Sequence, residues 1–244
     1  MYKLEKRKII FDIDTEFNSF ESIDSSCNAN VYKFKINDNY YALKIFNNPH
    51  KENENKYNRL LNINIPSFIS PIKLSYIGNT FNGYLMNFCS GINLCENKLN
   101  ITVNEFLNYS NILLSDTEKI SNSRYLIKDI GVGNTLFDNG FKIIDLDYYK
   151  YVKKSNKIFK NTNDILTYNK KEINELLIDL FVVITGGFDK LYDSCEFKKF
   201  MDCVVTEKIT FEEMVNMLCL SNKDDTDMES LGNSLIKRFG DKHV

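Results

Sequence analysis

At 244 residues, with 43% hydrophobic, 26% charged and 13% aromatic side chains, the chain has the composition of an ordinary folded protein and is long enough to bury a large core without staples. Its 31 basic and 33 acidic residues give a net charge of −2 and form no long basic block, so nucleic acid is not an expected partner. The first residues, "MYKLEKRKIIFDIDTEF", hold only a three-residue apolar run before Asp12, and the most apolar stretch, "ELLIDLFVVI", is short and carries Asp179; a signal peptide, a spanning helix and a membrane partner are all unexpected, and a cytoplasmic setting follows.

The first third reads as strands. "NVYKFKI" and "YYALKIF" flank "NDN" and are rich in β-branched and aromatic residues, which predicts a hairpin. "ISPIKLSYIG" and "NTFNGYLMNF" supply further strands around a second polar turn. Between the hairpins, "HKENENKYNRLLNI" spaces Tyr57, Leu60 and Leu61 as a helix does, and Pro66 closes it. The stretch "FCSGI" then reads as a hinge. "TVNEFLNYSNILLSDTEKIS" predicts a helix capped by Thr102. A small hairpin follows, with "TLF" and "FKIID" around "DNG". Beyond Tyr168 the pattern is helical: "KKEINELLIDLFVVIT" ending at Gly186 and Gly187, then "CEFKKFMDCVV", "TFEEMVNMLCL" and "LGNSLIKRF", with an acidic loop "SNKDDTDMES" before the last. Five strands with one helix, followed by a helical half carrying a hairpin, predict a two-lobed α+β arrangement.

Six cysteines, at 27, 89, 95, 195, 203 and 219, form no CxxC pair, and only His50 and His243 could help them hold a metal. Reduced thiols, not zinc, are the expectation.

In chain order the sequence offers Lys44 in the strand "YALKIF", an acidic helix, a hinge, Asp129 and Asn134 in "KDIGVGN", a hairpin, and Asp145 in "IIDLD". Singly these are commonplace: a strand lysine is usually a solvated face, and Asp-x4-Asn is cheap in an asparagine-rich chain. The ordered set is not commonplace. It resembles the protein-kinase-like superfamily over roughly residues 20 to 185, with "YALKIF" similar to the "VAIK" strand, "KDIGVGN" to the "HRDxxxxN" loop and "IIDLD" standing where "DFG" would.

The resemblance implies a single kinase-like domain over 1–244, with a small antiparallel-sheet N-lobe at 17–89 containing one helix and a mainly helical C-lobe at 90–244. It implies ATP and Mg²⁺ as cofactors. Lys44 would hold the α- and β-phosphates, oriented by Glu54, or by Glu52 as second choice. Asn134 and Asp145 would hold Mg²⁺, and Asp129 would align and deprotonate the acceptor hydroxyl. Val31 and Ala42 would roof the adenine, Leu136 would floor it, Met86 would form the back wall, and the backbone from Asn87 to Cys89 would bond the base edge.

The sequence departs from that pattern in several places. The glycine-rich loop is absent, its three glycines falling on Asp24, Ser26 and Ala29 of "IDSSCNAN". Ile127 and Lys128 replace the His-Arg pair, and no "APE" follows. "GN" at 133–134 and "IIDLD" are similar to the aminoglycoside and choline kinase branch, in which Asp147 would join or support the metal group. The expected function is an ATP- and Mg²⁺-dependent phosphotransferase acting on a Ser/Thr hydroxyl of a protein. The alternatives are a small-molecule kinase, for which Glu172, Glu175 and Asp179 would supply an acidic pocket, and a pseudokinase serving as a binding scaffold.

Overall fold

The computed structural model describes residues 2–96, 98–220 and 222–239; His243 lies outside them. The chain forms two compact units, one of Met1–Ser90 with Ile144–Leu146 and one of Gly91–Ile143 with Asp147–Val244.

The first unit is built on a seven-stranded sheet. Its strands are β1 (Tyr2–Leu4), β2 (Lys8–Phe11), β3 (Glu21–Ser25), β4 (Ala29–Ile36), β5 (Asn39–Phe46), β6 (Pro71–Ile77) and β7 (Thr80–Asn87), in spatial order β1-β2-β6-β7-β5-β4-β3. The β4–β5 hairpin turns at Asn37, whose φ of 54° is the left-handed conformation that asparagine tolerates. Helix α1 (Glu54–Leu60) follows β5, with Asn53 capping it through a 3.0 Å bond from the Asn55 amide.

Both faces of β5 are covered. Leu43 packs on one side with Ile9, Phe11, Phe34, Ile36 and Leu85, under Phe17 and Phe20 of the preceding loop. On the other side Phe46 meets Tyr57 of α1, Phe81 and Tyr84, with ring centres 5.1 to 5.9 Å apart.

Strands β1, β2 and β3 were not among the segments named as strands from the sequence. β1 and β2 lie in the amino-terminal stretch, for which the sequence suggested no element, and residues 2–16 belong to this unit, whereas the expected N-lobe begins at 17. The reason is that β2 runs parallel to β6, pairing Lys8 with Leu74 and Phe11 with Ile77. A pairing across that sequence distance leaves no local signal, and the short "IIF" run stands between basic residues and Asp12.

The second unit holds helices α2 (Val103–Asn122), α3 (Thr162–Ile184), α4 (Phe188–Asp193), α5 (Cys195–Val205), α6 (Phe211–Leu218) and α7 (Met228–Phe239). Its short strands are β8 (Ile92–Asn93), β9 (Tyr125–Leu126), β10 (Thr135–Phe137), β11 (Phe141–Ile143) and β12 (Lys150–Tyr151). Thr102 and Glu105 close a reciprocal capping box on α2. Helix α3 starts earlier than Tyr168, at Thr162, because Asn161 and Asp164 form a second such box. It ends at Gly186, φ 69°, where the Gly187 amide bonds the Val182 carbonyl and the Gly186 amide that of Val183. The core gathers around Phe106, whose ring lies 5.6 to 6.0 Å from those of Phe141, Phe181 and Phe211.

Strand β7 approaches β5 closely at Gly83, where a Cβ would stand 1.9 Å from the Lys44 carbonyl oxygen. Gly83→Ala should therefore cost about 2–4 kcal/mol of stability, because backbone has to move. Chemical denaturation read against the wild type measures it, and a cost near zero means that the two strands can separate freely.

Candidate functional site

The alternation of β5 places Ala42, Lys44 and Phe46 on one face of the sheet. The register extends that face to its neighbours, since Val31 of β4 stands opposite Lys44, and Met86 of β7 stands opposite Ala42. Four of the predicted nucleotide residues, Val31, Ala42, Lys44 and Met86, thus share one surface, all of them buried. Asn87 ends β7 and is exposed, and Cys89 is half-buried two residues beyond it.

Lys44 is a charged side chain among apolar ones, only 9% exposed, and its ammonium lies 2.9 Å from an Asp145 carboxylate oxygen. The two residues are 101 positions apart in sequence. Asp145 is 34% exposed, so this ion pair has one partner nearly sealed and the other facing water. Of the acidic residues near α1, Glu54 accepts a 2.6 Å bond from the Tyr76 hydroxyl, and Glu52 accepts a 2.8 Å bond from Tyr57. Burial, then the bond to Glu54, raises the Tyr76 hydroxyl above its ordinary pKa, so it stays protonated and keeps donating. The structure thus brings Lys44 to Asp145 and gives each glutamate a tyrosine.

The second unit carries Asp129, Asn134 and Leu136. Asp129 is exposed, whereas Asn134 and Leu136 are half-buried. The five-residue spacing has a structural meaning: the Asn134 amide nitrogen donates to the Asp129 carbonyl at 3.1 Å, which closes the loop on itself. The Asn134 backbone amide and the Thr135 hydroxyl both bond the Gly131 carbonyl, at 3.0 and 2.9 Å.

Sequence reasoning missed the residue that anchors this loop. Asn169 of α3 is fully buried and accepts a 2.8 Å bond from the Ile127 amide, two residues before Asp129. Its nitrogen donates to the Ser121 hydroxyl at 2.9 Å and the Tyr125 carbonyl at 2.7 Å. Both donors and the acceptor are therefore matched. The signal was present, because Ile165, Asn169 and Ile173 repeat every four residues, which puts an amide on the apolar stripe of the helix. Arg124 supports the same region from the other side, its Nε donating to the Val152 carbonyl at 2.9 Å.

Backbone conformation singles out the same aspartates. Six described non-glycine residues have positive φ: Asn37, Arg124, Asp129, Asn139, Asp145 and Glu207. Asn37 and Asn139 turn hairpins, and Arg124 and Glu207 follow the C-terminal caps of α2 and α5. Asp129, at 56°, and Asp145, at 61°, do neither. Left-handed geometry off a turn or cap stores of the order of 1 kcal/mol or more per residue and collects at working sites.

Further along α3, partial burial raises the Glu172 carboxyl above its ordinary pKa, and Glu175 adds to this; the Tyr168 hydroxyl, Lys171 and Lys128 pull it down. Asp179 is held by the Tyr192 hydroxyl. A groove of about 430 Å³ on the second unit, lined by Glu118, Lys170, Asn174, Glu207, Lys208 and Glu213 among others, contains none of the predicted residues. Among the described residues, no three His, Cys, Asp or Glu side chains gather as a metal cluster. No described helix is long and apolar enough to cross a membrane.

Two predictions follow from the charges. Asp145→Asn should destabilise the protein by about 1–3 kcal/mol by leaving a nearly buried ammonium without that carboxylate, and adding Lys44→Met should restore part of the loss. A denaturation double-mutant cycle checks it, and strict additivity means the pair contributes nothing. For Glu172 the folded pKa lies above the unfolded one, so its contribution to stability is fully present below the unfolded value and is lost as pH rises through the folded value. Glu172→Gln should then raise the melting temperature at pH 7 relative to wild type, and the gain should vanish near pH 4; an equal gain at both pH values contradicts the assignment. No protein-family model matches the chain, and no curated protein matches it in sequence.

Proposed function

We propose that the protein is an ATP- and Mg²⁺-dependent phosphotransferase of the protein-kinase-like superfamily, acting on a Ser/Thr hydroxyl of a protein. The observation that carries the reading is the Lys44–Asp145 pair. A buried strand lysine meets the aspartate of "IIDLD" across 101 residues, and both that aspartate and Asp129 are held in left-handed backbone.

The residues fit the cofactors in kind. Asp145 and Asn134 offer the hard oxygen donors suited to Mg²⁺, which when bound would neutralise phosphate charge. With the Asn134 nitrogen on the Asp129 carbonyl, its amide oxygen is the atom left to serve as a ligand. So few protein donors leave coordination positions for phosphate oxygens and water, which is how this ion is usually held.

Lys44 would hold the α- and β-phosphates, and the apolar face of Val31, Ala42 and Met86 would cover adenine. Asp129, exposed and joined to Asn134, would accept the proton of the acceptor hydroxyl as that oxygen attacks the γ-phosphorus and the bond to the β–γ bridging oxygen breaks, releasing ADP. Gly131 and Gly133 support this use of the loop. A Cβ at either position meets nothing within 4 Å and neither has positive φ, so the fold does not require glycine there. Room for an approaching substrate is a reason for it.

A second reading, a small-molecule acceptor, is favoured by Glu172 and Glu175, which put carboxyl groups near Lys128 on the unit that carries Asp129, with the neutral Tyr168 hydroxyl bonded to Glu172. The scaffold alternative has the glycine-poor loop in its favour.

The test is incubation with γ-labelled ATP and Mg²⁺ in the presence of a generic protein acceptor and of small amines and alcohols. Label should transfer to protein, and Asp129→Asn and Asp145→Asn should each lower the rate by about 10²-fold or more. Label passing only to a small hydroxyl compound supports the second reading. No transfer to any acceptor together with no nucleotide binding by thermal shift rejects both catalytic readings and leaves the scaffold.

A further inference from the structure

The turn between β3 and β4 stands where the resemblance puts the glycines that cover the phosphates in kinases. In such loops, exposed backbone amides meet phosphate oxygens. Here four of them, from Ser25, Ser26, Asn28 and Ala29, are already engaged. The Ser25 amide donates to the Asp24 carboxylate at 2.8 Å, and the Ser26 amide donates to the Ala29 carbonyl at 2.9 Å. The Asn28 and Ala29 amides both donate to the Ser26 hydroxyl oxygen, at 3.3 and 3.2 Å, and that hydroxyl donates in turn to the Ala29 carbonyl at 3.1 Å.

The carbonyls are held as well. The Asn47 side chain, at the end of β5, donates to the Ser26 and Cys27 carbonyls at 3.0 and 3.1 Å, and its backbone amide donates to the Asn28 carbonyl at 2.9 Å. Asn30 fixes Asn47 by a 2.9 Å bond. Ser26, Cys27 and Asn28 are all exposed, so burial does not impose this arrangement; local side-chain bonding does.

We propose that Ser26 is a built-in competitor for phosphate: its hydroxyl takes the two amides that would otherwise bond a nucleotide, and so sets the protein's nucleotide affinity low. This inference rests on the phosphotransferase reading above. A phosphate oxygen makes a stronger bond to an amide than a hydroxyl does, because it is charged. To reach these amides, however, it must displace an acceptor two and three residues away in the same turn, and the cost is subtracted from binding. Retention of nucleotide then falls to Lys44 and the apolar face beside it.

The experiment compares wild type, Ser26→Ala and Asn47→Ala by calorimetric titration with MgATP and with adenosine, alongside amide exchange at Asn28 and Ala29 by NMR. Ser26→Ala should exchange both amides faster and bind MgATP about three- to tenfold more tightly, with adenosine affinity unchanged. Asn47→Ala frees carbonyls but leaves both amides on Ser26, so its affinity for MgATP should stay within about twofold of wild type. Equal tightening in both variants, or tightening toward adenosine, overturns the proposal in favour of general loosening of the turn. If wild type binds MgATP and Ser26→Ala binds it no better, the phosphotransferase reading stands and the competitor role falls. If neither protein binds any nucleotide, both fall.

Discussion

A lysine ammonium inside a strand that is covered on both faces is the constraint around which the first unit is arranged. Solvation of the charge is lost when the strand is packed, so a counter-charge has to be supplied from elsewhere in the chain. The chain supplies it from Asp145, and the price is a crossing of sequence so long that no local element could provide it. Residues Ile144–Leu146 belong to the first unit, although the strands before them belong to the second. A pair of this kind contributes little net stability compared with an apolar substitute.

The loop around Asp129 shows how a mobile kind of segment is made stiff. A short run with two glycines has high conformational freedom, yet Asn134 closes it from inside and Asn169 ties its entry to a buried helix. The Asn169 amide has both of its donors and its oxygen bonded in a dry setting, where loss of one partner leaves a buried polar group uncompensated. Stiffness of this origin keeps the Asp129 side chain at a defined place while leaving it open to water.

The legible part of the fold was whatever rests on neighbours in sequence. Thr102 with Glu105, the "NDN" and "DNG" turns, and the glycine end of α3 are local bargains between side chain and backbone, and each was visible as letters. The ordered candidates Lys44, Asp129, Asn134 and Asp145 were visible too, because each sits at a punctuation point of the pattern. Partners were not. That Lys44 faces Asp145, that Glu54 meets Tyr76 and that Asn169 holds Ile127 depend on where separate elements come to rest. The strand β2 was lost for the same reason, since its ladder partner β6 lies beyond two hairpins and a helix. Asn169 is the instructive case: the amide was on the apolar stripe of α3, and a buried amide always needs partners, so its presence could be read even though their names could not.

The two strands at the amino terminus also change how the sheet meets other molecules. Without β2, strand β6 would offer a row of unpaired amides and carbonyls beside Ile72, Leu74 and Tyr76, an invitation to pair with any extended chain. With β1 and β2 added, one margin of the sheet is a strand of three residues and the other is β3, "ESIDS", exposed along its whole length, bulged at Ile23 and bearing two carboxylates. Short, charged and irregular margins are poor templates for edge-to-edge association. Strands β1 and β2 therefore act as a guard against aggregation for a sheet whose interior is rich in aromatic rings.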